Sequence, residues 1–291
     1  MSPVFRAPAS TANLGPGFDC AAAALDLWNE LRVETRTDAP AVRVDGEGAG
    51  ELPEDATNMT LRAFALLAPV SEHDFHCTNR IPLERGLGSS AAAVALGLVA
   101  GDAVSGGKAG GPEELLRLGL ALEGHADNLA AALFGGVCLT WDDGGTQRVA
   151  KVATELPLAP IAVVPDERVP TGASRGRLPA HVAHNDAAET AGRAALLGAA
   201  LAAGDAELLA ASFHDALHEP YRGADAPLLA ELRDHLPEGA VGVTLSGAGP
   251  SVIVWARKQQ RDACVAELRR RLRQTHVWPL DVALEGAEEA R

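Results

Sequence analysis

The 291 residues suffice for one large or two medium domains, and 47% apolar with 22% charged residues is the composition of an ordinary globular chain. Aromatics are only 4%, so the core must be built from Ala, Leu and Val, and the formal net charge of −14 argues against nucleic acid or an anionic membrane as the main partner. No stretch approaches the ~20 apolar residues of a membrane span, no basic region followed by an apolar core opens the chain, and Cys20, Cys77, Cys138 and Cys264 are scattered, so a cytoplasmic chain with reduced thiols is expected. An acidic chain that binds a polyanion must do so locally, through backbone amides, a helix end and a metal ion.

In chain order, residues 4–10 read as a short strand entering a turn-rich segment, Ala12 to Asp19. Residues 31–37 and 41–44 alternate as strands and are expected to pair with each other. Residues 55–68 carry helical spacing. A glycine loop at 82–90 leads into an Ala-rich helix over 91–102. Pro112 suits the first turn of a helix over 113–123, a further helix covers 127–134 with Gly135-Gly136 as its stop, and 137–141 is a strand.

Gly, Pro and charge cluster between 142 and 160, which places a boundary there and divides the chain into 1–155 and 156–291. A strand at 161–164 follows, then helices over 184–203, 205–218 and 227–236. Strands at 241–245 and 251–255 flank Ser246 to Pro250. A basic helix over 259–273 and a strand over 276–282 complete the chain. Mixed elements in both halves indicate two α+β domains.

The segment Gly86-Leu87-Gly88-Ser89-Ser90-Ala91-Ala92 is the most informative. Gly86 and Gly88 allow close backbone approach. Ser89 and Ser90 suit an N-cap and can also face a metal or phosphate oxygen. The Ala-rich helix then presents its free N–H groups to the loop, a phosphate site that needs no lysine. Read alone, the segment is also a plain capped turn. A Walker loop is excluded because no G-K-[ST] follows. A dinucleotide fingerprint is matched formally by Gly86, Gly88 and Ala91, yet the region about 20 residues on, where its acidic residue belongs, is the loop Gly110 to Glu113.

With Pro82 ahead of it, the loop resembles the nucleotide loop of the GHMP kinases. That family has three ordered motifs, and the other two resemble Pro8 to Asp19 and Leu245 to Ser251 here. Within the family, the homoserine kinase branch is suggested by the N-L-G-x-G-F-D of the first motif. The same branch is suggested by Glu123-Gly124-His125-Ala126-Asp127-Asn128, by Pro165-Asp166 through Arg175, and by His218 to Arg222. The family usually has Pro where Ala126 stands, a departure that touches loop shape and no functional group.

The resemblance implies a fold with an N-terminal ribosomal-protein-like α/β domain and a C-terminal ferredoxin-like α+β domain. It implies transfer of the γ-phosphoryl group of ATP, with Mg²⁺, to L-homoserine on the route to threonine, and a possible homodimer. Pro82, Gly86, Leu87, Gly88, Ser89, Ser90 and Ala91 would hold the nucleotide, and Asn58 would lie near the adenine. Glu123, with Ser89 or Ser90, would hold the metal; read alone, Glu123 is an exposed helix-end residue. Asp127 would orient the acceptor hydroxyl or take its proton, and it also suits an N-cap for the helix from Asn128. Arg175 and Arg222 would grip the substrate carboxylate, while Asp19, helped by Asn13 and His125, would hold its ammonium and hydroxyl end. Asn128 and Gly247 complete the substrate set. Arg177 is easily confused with Arg175. His214 and His218 share a helical spacing but lack a third metal ligand, so ordinary surface or core histidines are expected. The rival readings are a sister kinase of the mevalonate type, a non-catalytic binding member of the fold, and a dinucleotide-binding oxidoreductase.

Overall fold

The long strand β2 (Gly17–Thr35) organises the first half of the molecule, for which the computed structural model describes residues 2–36 and 41–290 of the whole chain. Its Ala21, Ala22, Ala23, Ala24 and Leu25 are fully buried on both faces. Small side chains there allow close packing; Ala22 and Ala24 cluster with Ala131 of a covering helix and with Ala283 near the chain end. Strand β1 (Val4–Asn13) runs antiparallel along β2, with register shifts at Pro8/Ala9 and Ala12/Asn13 that bend and twist the pair.

Strand β2 then divides its partners. Glu30–Thr35 pairs with β4 (His73–Asn79), and Ala21–Ala23 pairs with β5 (Val137–Asp143), which forms a hairpin with β6 (Thr146–Ala153). The strand β3 (Val42–Gly46) does not pair with β2 as its proximity in sequence predicts; it lies parallel to β4 at the sheet edge. The reason is that β4 takes the available edge of β2, burying Phe75 and Cys77 as it does so. Residue 37 of the expected strand falls outside the described residues.

Four helices cover this sheet: α1 (Met59–Phe64), α2 (Ser89–Val104), α3 (Pro112–Glu123) and α4 (Ala126–Phe134). Helix α1 is shorter than the expected span because Asn58 caps it, its side chain accepting from the Thr60 amide. Helix α2 packs on β1 and β2 between the other three. A Cβ on Gly97 would collide with the Thr60 carbonyl and Ala63, so this glycine sets the approach of α2 to α1.

In the second half, β7 (Leu158–Pro165) is buried along its whole length in an antiparallel sheet with β8 (Ala240–Leu245), β9 (Val252–Arg257) and β10 (Thr275–Pro279), ordered β10-β7-β9-β8. The helices are α5 (Thr171–Arg175), α6 (His184–Ala203), α7 (Ala206–Ser212), α8 (Glu219–Arg222), α9 (Pro227–Asp234) and α10 (Arg261–Arg271). The single helix expected over 205–218 stops at Ser212. Beyond it the Asp215 carboxylate takes the amides of Leu217, His218 and Glu219, a local competitor to helical bonding.

The expected last strand stops at Pro279, and the chain returns to the first sheet. Ala283 donates to the Ala24 carbonyl at 3.1 Å, Ala287 to Ala132 at 2.7 Å, and the short β11 (Glu288–Glu289) pairs with β1. The main core runs continuously from the first sheet through Leu156 and Leu158 to Leu197 and Trp255, while α9 and α10 cover a separate core on the other face of the second sheet. Gly97→Val should destabilise the chain by about 1–3 kcal/mol through overpacking against α1; an unchanged urea midpoint would show that the α1–α2 approach is not set there.

Candidate active site

Gly86 and Gly88 adopt left-handed φ of 76° and 70°. A side chain on Gly86 would run into the Ser246 carbonyl of the β8–β9 turn, and one on Gly88 into Ser10 Oγ. The loop between them is tied down: Leu87 is buried and its carbonyl accepts from the Ser10 amide at 3.1 Å. Pro82 is buried at the loop's start. Helix α2 begins at Ser89, two residues earlier than the sequence predicts, and its N-cap is Gly88, which supplies no side-chain bond. The serines therefore do not cap the helix. The amides of Ser89, Ser90 and Ala91 are left without an intrahelical acceptor, and Ala92 is the first to bond back, to Gly88 at 2.9 Å.

Ser89 and Ser90 also border a cavity of about 350 Å³ walled by Leu52, Pro53, Met59 and Leu83. Asn58 lines this cavity, yet both its polar atoms are engaged: Oδ1 accepts from Thr60 N at 3.0 Å and Nδ2 donates to the Pro53 carbonyl at 2.8 Å. Its side chain shapes the wall.

Glu123 closes α3, and Gly124, left-handed at φ 76°, turns the chain directly into α4. This turn sets Glu123 close to Asp127. Ser90 donates to Glu123 at 2.6 Å, so Ser90, and not Ser89, is the hydroxyl facing the carboxylate. Glu123 is half-buried rather than exposed, and burial pushes its carboxyl up to about 7; the Ser90 bond opposes this and Asp127 adds to it. Among the described residues no Lys or Arg pairs with Glu123, and no cluster of three metal-ligating side chains occurs. A carboxylate and a hydroxyl beside a helix start with free amides nevertheless fit Mg²⁺, which takes hard oxygens and needs only one or two from the protein.

Asp127 is 3% exposed, and burial raises its carboxyl; the hydrogen bond from the Asn128 amide opposes this, and Asp19 adds to it. It lies inside the first turn of α4, whose N-cap is His125, so it is not the helix cap; its Oδ1 accepts instead from the adjacent Asn128 amide at 2.7 Å. Asn128 accepts from Ser10 at 2.8 Å, which supports the floor beneath Gly88.

Opposite Asp127, two carboxylate-seeking cations meet one carboxylate. The turn from β1 to β2 holds Asn13, Leu14 and Asp19 at positive φ. It is fixed by Asn13, whose Oδ1 accepts from Asp19 N at 3.1 Å and whose Nδ2 donates to the Gly247 carbonyl at 2.9 Å. Arg175 forks onto both oxygens of Asp19, one at 3.2 Å, and donates to His125 Nε2 at 2.7 Å. That nitrogen must therefore accept, which puts the His125 proton on Nδ1.

Arg222 is 3% exposed, and burial lowers its affinity for the proton. One of its Nη atoms bonds the Gly247 carbonyl at 3.2 Å and His218 Nδ1 at 3.3 Å, while its buried Nε has no partner. Phe18 sits between the arginines, 5.4 Å from the Arg222 guanidinium and 5.9 Å from that of Arg175, and stacks on His218 at 5.1 Å. A buried, partly unsatisfied guanidinium beside an exposed ion pair is a seat for a further anion.

Sequence reading did not assign roles to several residues that build this site. His218 is a fully buried core histidine that donates from Nε2 to the Gly15 carbonyl at 2.9 Å and so orients Arg222; His214 is a surface residue near Glu189. Glu219, paired with Arg233, accepts from Leu245 N at 2.8 Å and fixes α8 to the β8 end. Ser246 donates to the Gly86 carbonyl at 2.7 Å and lies 2.9 Å from the Thr11 hydroxyl, joining the three motif segments. Arg177 pairs with Asp225 outside the cluster. The Gly and Ser of the motifs were visible in sequence, but nothing in it indicated which of them bond each other.

The family model for the GHMP kinases N terminal domain matches residues 54–136, and that for the GHMP kinases C terminal domain matches 197–274. The chain belongs to the GHMP kinases. Among curated relatives, it is 41% identical to the homoserine kinase of Clavibacter michiganensis subsp. michiganensis over 94% of this chain and 88% of that one. It is 42% identical to the homoserine kinase of Moorella thermoacetica over 89% and 88%. The crystal structure of homoserine kinase from Cytophaga hutchinsonii superposes with a TM-score of 0.88 at 26% identity, covering 99% of this chain and 97% of that one. The crystal structure of L. major mevalonate kinase, at TM-score 0.71 and 16% identity over 96% of this chain and 95% of that one, shares the fold. The two-domain GHMP kinase architecture expected from the motifs is thus the observed one.

The raised Glu123 carboxyl makes stability pH-dependent in a defined direction. The folded chain holds this proton more tightly than the unfolded chain, whose carboxyl titrates near 4.5. The proton's contribution is complete below that value, shrinks as pH rises toward about 7, and is lost above it. Wild type should therefore lose stability relative to Glu123→Gln between pH 5 and pH 8 in urea titrations; parallel curves would show that the carboxyl is not raised.

Proposed function

We propose that this chain transfers the γ-phosphoryl group of ATP to the side-chain hydroxyl of L-homoserine, giving O-phospho-L-homoserine and ADP. The observation that carries this reading is the grouping of Asp19, Arg175 and Arg222 beside buried Asp127 and the uncapped start of α2. One carboxylate and two guanidiniums match the ammonium and carboxylate of an amino-acid zwitterion, and the curated homoserine kinases, near 40% identical across most of the chain, support the same substrate.

In this reading the free amides of Ser89, Ser90 and Ala91 hold the polyphosphate, with the adenosine in the cavity behind Ser89. Glu123 and Ser90 would hold Mg²⁺, which would supply positive charge against that of the polyphosphate. Arg222, with its open Nε and fixed by His218 and Gly247, takes the substrate carboxylate together with Arg175. Asp19 takes the ammonium. Asp127 accepts a hydrogen bond from the acceptor hydroxyl and so points its oxygen at the γ-phosphorus; its raised affinity for a proton lets it hold the one released as the new O–P bond forms and the bond to ADP breaks. Positioning and charge, rather than a strong base, supply the rate.

A mevalonate-type acceptor lacks the ammonium that Asp19 is set to receive, and a non-catalytic role would leave Glu123 and the glycine loop without purpose. An ADP-release assay across homoserine, mevalonate, galactose and serine tests the reading: homoserine should be preferred, and preference for any other alcohol would overturn it. Arg222→Ala should raise the homoserine KM by about tenfold to a hundredfold, as expected for a lost charged hydrogen bond, with little change in the ATP KM. Equal effects on both would remove Arg222 from the carboxylate site.

A further inference from the structure

The nucleotide cavity has a floor that the family's glycine loop does not supply. Strands β2 and β4 pair as far as Glu30 and Thr78, so the same antiparallel register sets Asn29 opposite Asn79 at the strand ends, and both line the cavity. Asn29 is 1% exposed. Its Oδ1 accepts from the Arg80 amide at 2.7 Å and the Ile81 amide at 2.9 Å, which ends the β4 ladder and fixes the amide's orientation, because both partners are obligate donors. Its Nδ2 has no acceptor among the described residues.

Asn79 is the complement. Its Nδ2 donates to the Glu47 carbonyl at 3.1 Å, an obligate acceptor, and its Oδ1 receives no hydrogen bond from any described residue. The two amides do not bond each other. A nearly buried donor and an acceptor, at opposed places in the ladder and both oriented by backbone, are therefore left without partners in the wall of the cavity. Asn58, the other amide there, is held by one bond at each polar atom, to the Pro53 carbonyl and the Thr60 amide.

We propose that Asn29 and Asn79 read the base of the nucleotide: Asn79 Oδ1 accepts from the 6-amino group of adenine and Asn29 Nδ2 donates to the adjacent ring nitrogen N1. This rests on the cavity being the seat of ATP. A 6-oxo purine reverses both groups, setting O6 against Asn79 Oδ1 and N1–H against Asn29 Nδ2. Leaving buried polar groups unpaired in this way is the basis of strong discrimination by a binding site.

The test is calorimetric titration of the full chain with ADP and with IDP, Mg²⁺ present and no acceptor alcohol. Wild type should bind ADP at least about tenfold more tightly than IDP. Asn79→Ala removes the acceptor, and Asn29→Asp keeps the anchor for Arg80 and Ile81 while replacing the donor by an acceptor; each should bring the ratio to within about threefold of unity. A purely structural role for either residue would weaken both nucleotides equally. Wild-type binding of ADP and IDP with equal affinity, or an ADP preference retained in both variants, would overturn the base-reading pair and leave the kinase reading standing. Failure of wild type to bind either nucleotide would overturn both.

Discussion

A chain with a net charge of −14 needs a local positive field to hold a triphosphate, and a helix start with free amides is one source of it. In the proposed reading helix α2 provides that field, because its N-cap is a glycine in the left-handed region, with no side chain to occupy the first amides. The rest of the structure serves this opening. Ser10 lies under Gly88, Asn128 holds Ser10, and the Ser246 carbonyl stands where a Cβ on Gly86 would go. The two halves of the chain therefore meet on the phosphate loop, and the β8–β9 turn cannot move without disturbing it.

The acceptor side follows a related logic, with charge matched to charge in a partly closed space. Arg222 is buried with its Nε unpaired, an arrangement that costs stability and that, in the proposed reading, the substrate carboxylate relieves. His218 holds one tautomer through Gly15 and so fixes the guanidinium; Asp215 and Glu219 hold the turn on which Arg222 sits. Asp19 and Arg175 pair with each other. A zwitterion offers each of them a replacement partner, so the site exchanges one ion pair for two.

Much of this was legible in sequence because the decisive groups are contiguous. Gly86 to Ala91, Glu123 to Asn128, and Pro8 to Asp19 each carry their geometry in local turn and helix chemistry; the helix expected over 113–123 follows from spacing and Pro112, and that over 184–203 from spacing. What escaped was decided by distant partners. Strand β3 reads as the neighbour of β2 until β4, some thirty residues later, takes that edge. The break after Ser212 depends on the Asp215 carboxylate outcompeting helical bonds, and the return of residues 280–290 depends on backbone partners near the other end of the chain. The hydroxyl facing Glu123 was open between Ser89 and Ser90, and only the true start of α2 assigns it. Asn29 gave no signal at all, since a polar residue in a strand acquires meaning only from the neighbour across the ladder.

The central claim is that bare amides at the start of α2 hold the polyphosphate. Amide hydrogen exchange across residues 86–92, followed with and without Mg²⁺-ATP and with inorganic tripolyphosphate, measures those groups directly. Strong slowing at Ser89, Ser90 and Ala91 with either ligand is the predicted result. Unchanged exchange there, under conditions where calorimetry shows ATP bound, would contradict the account.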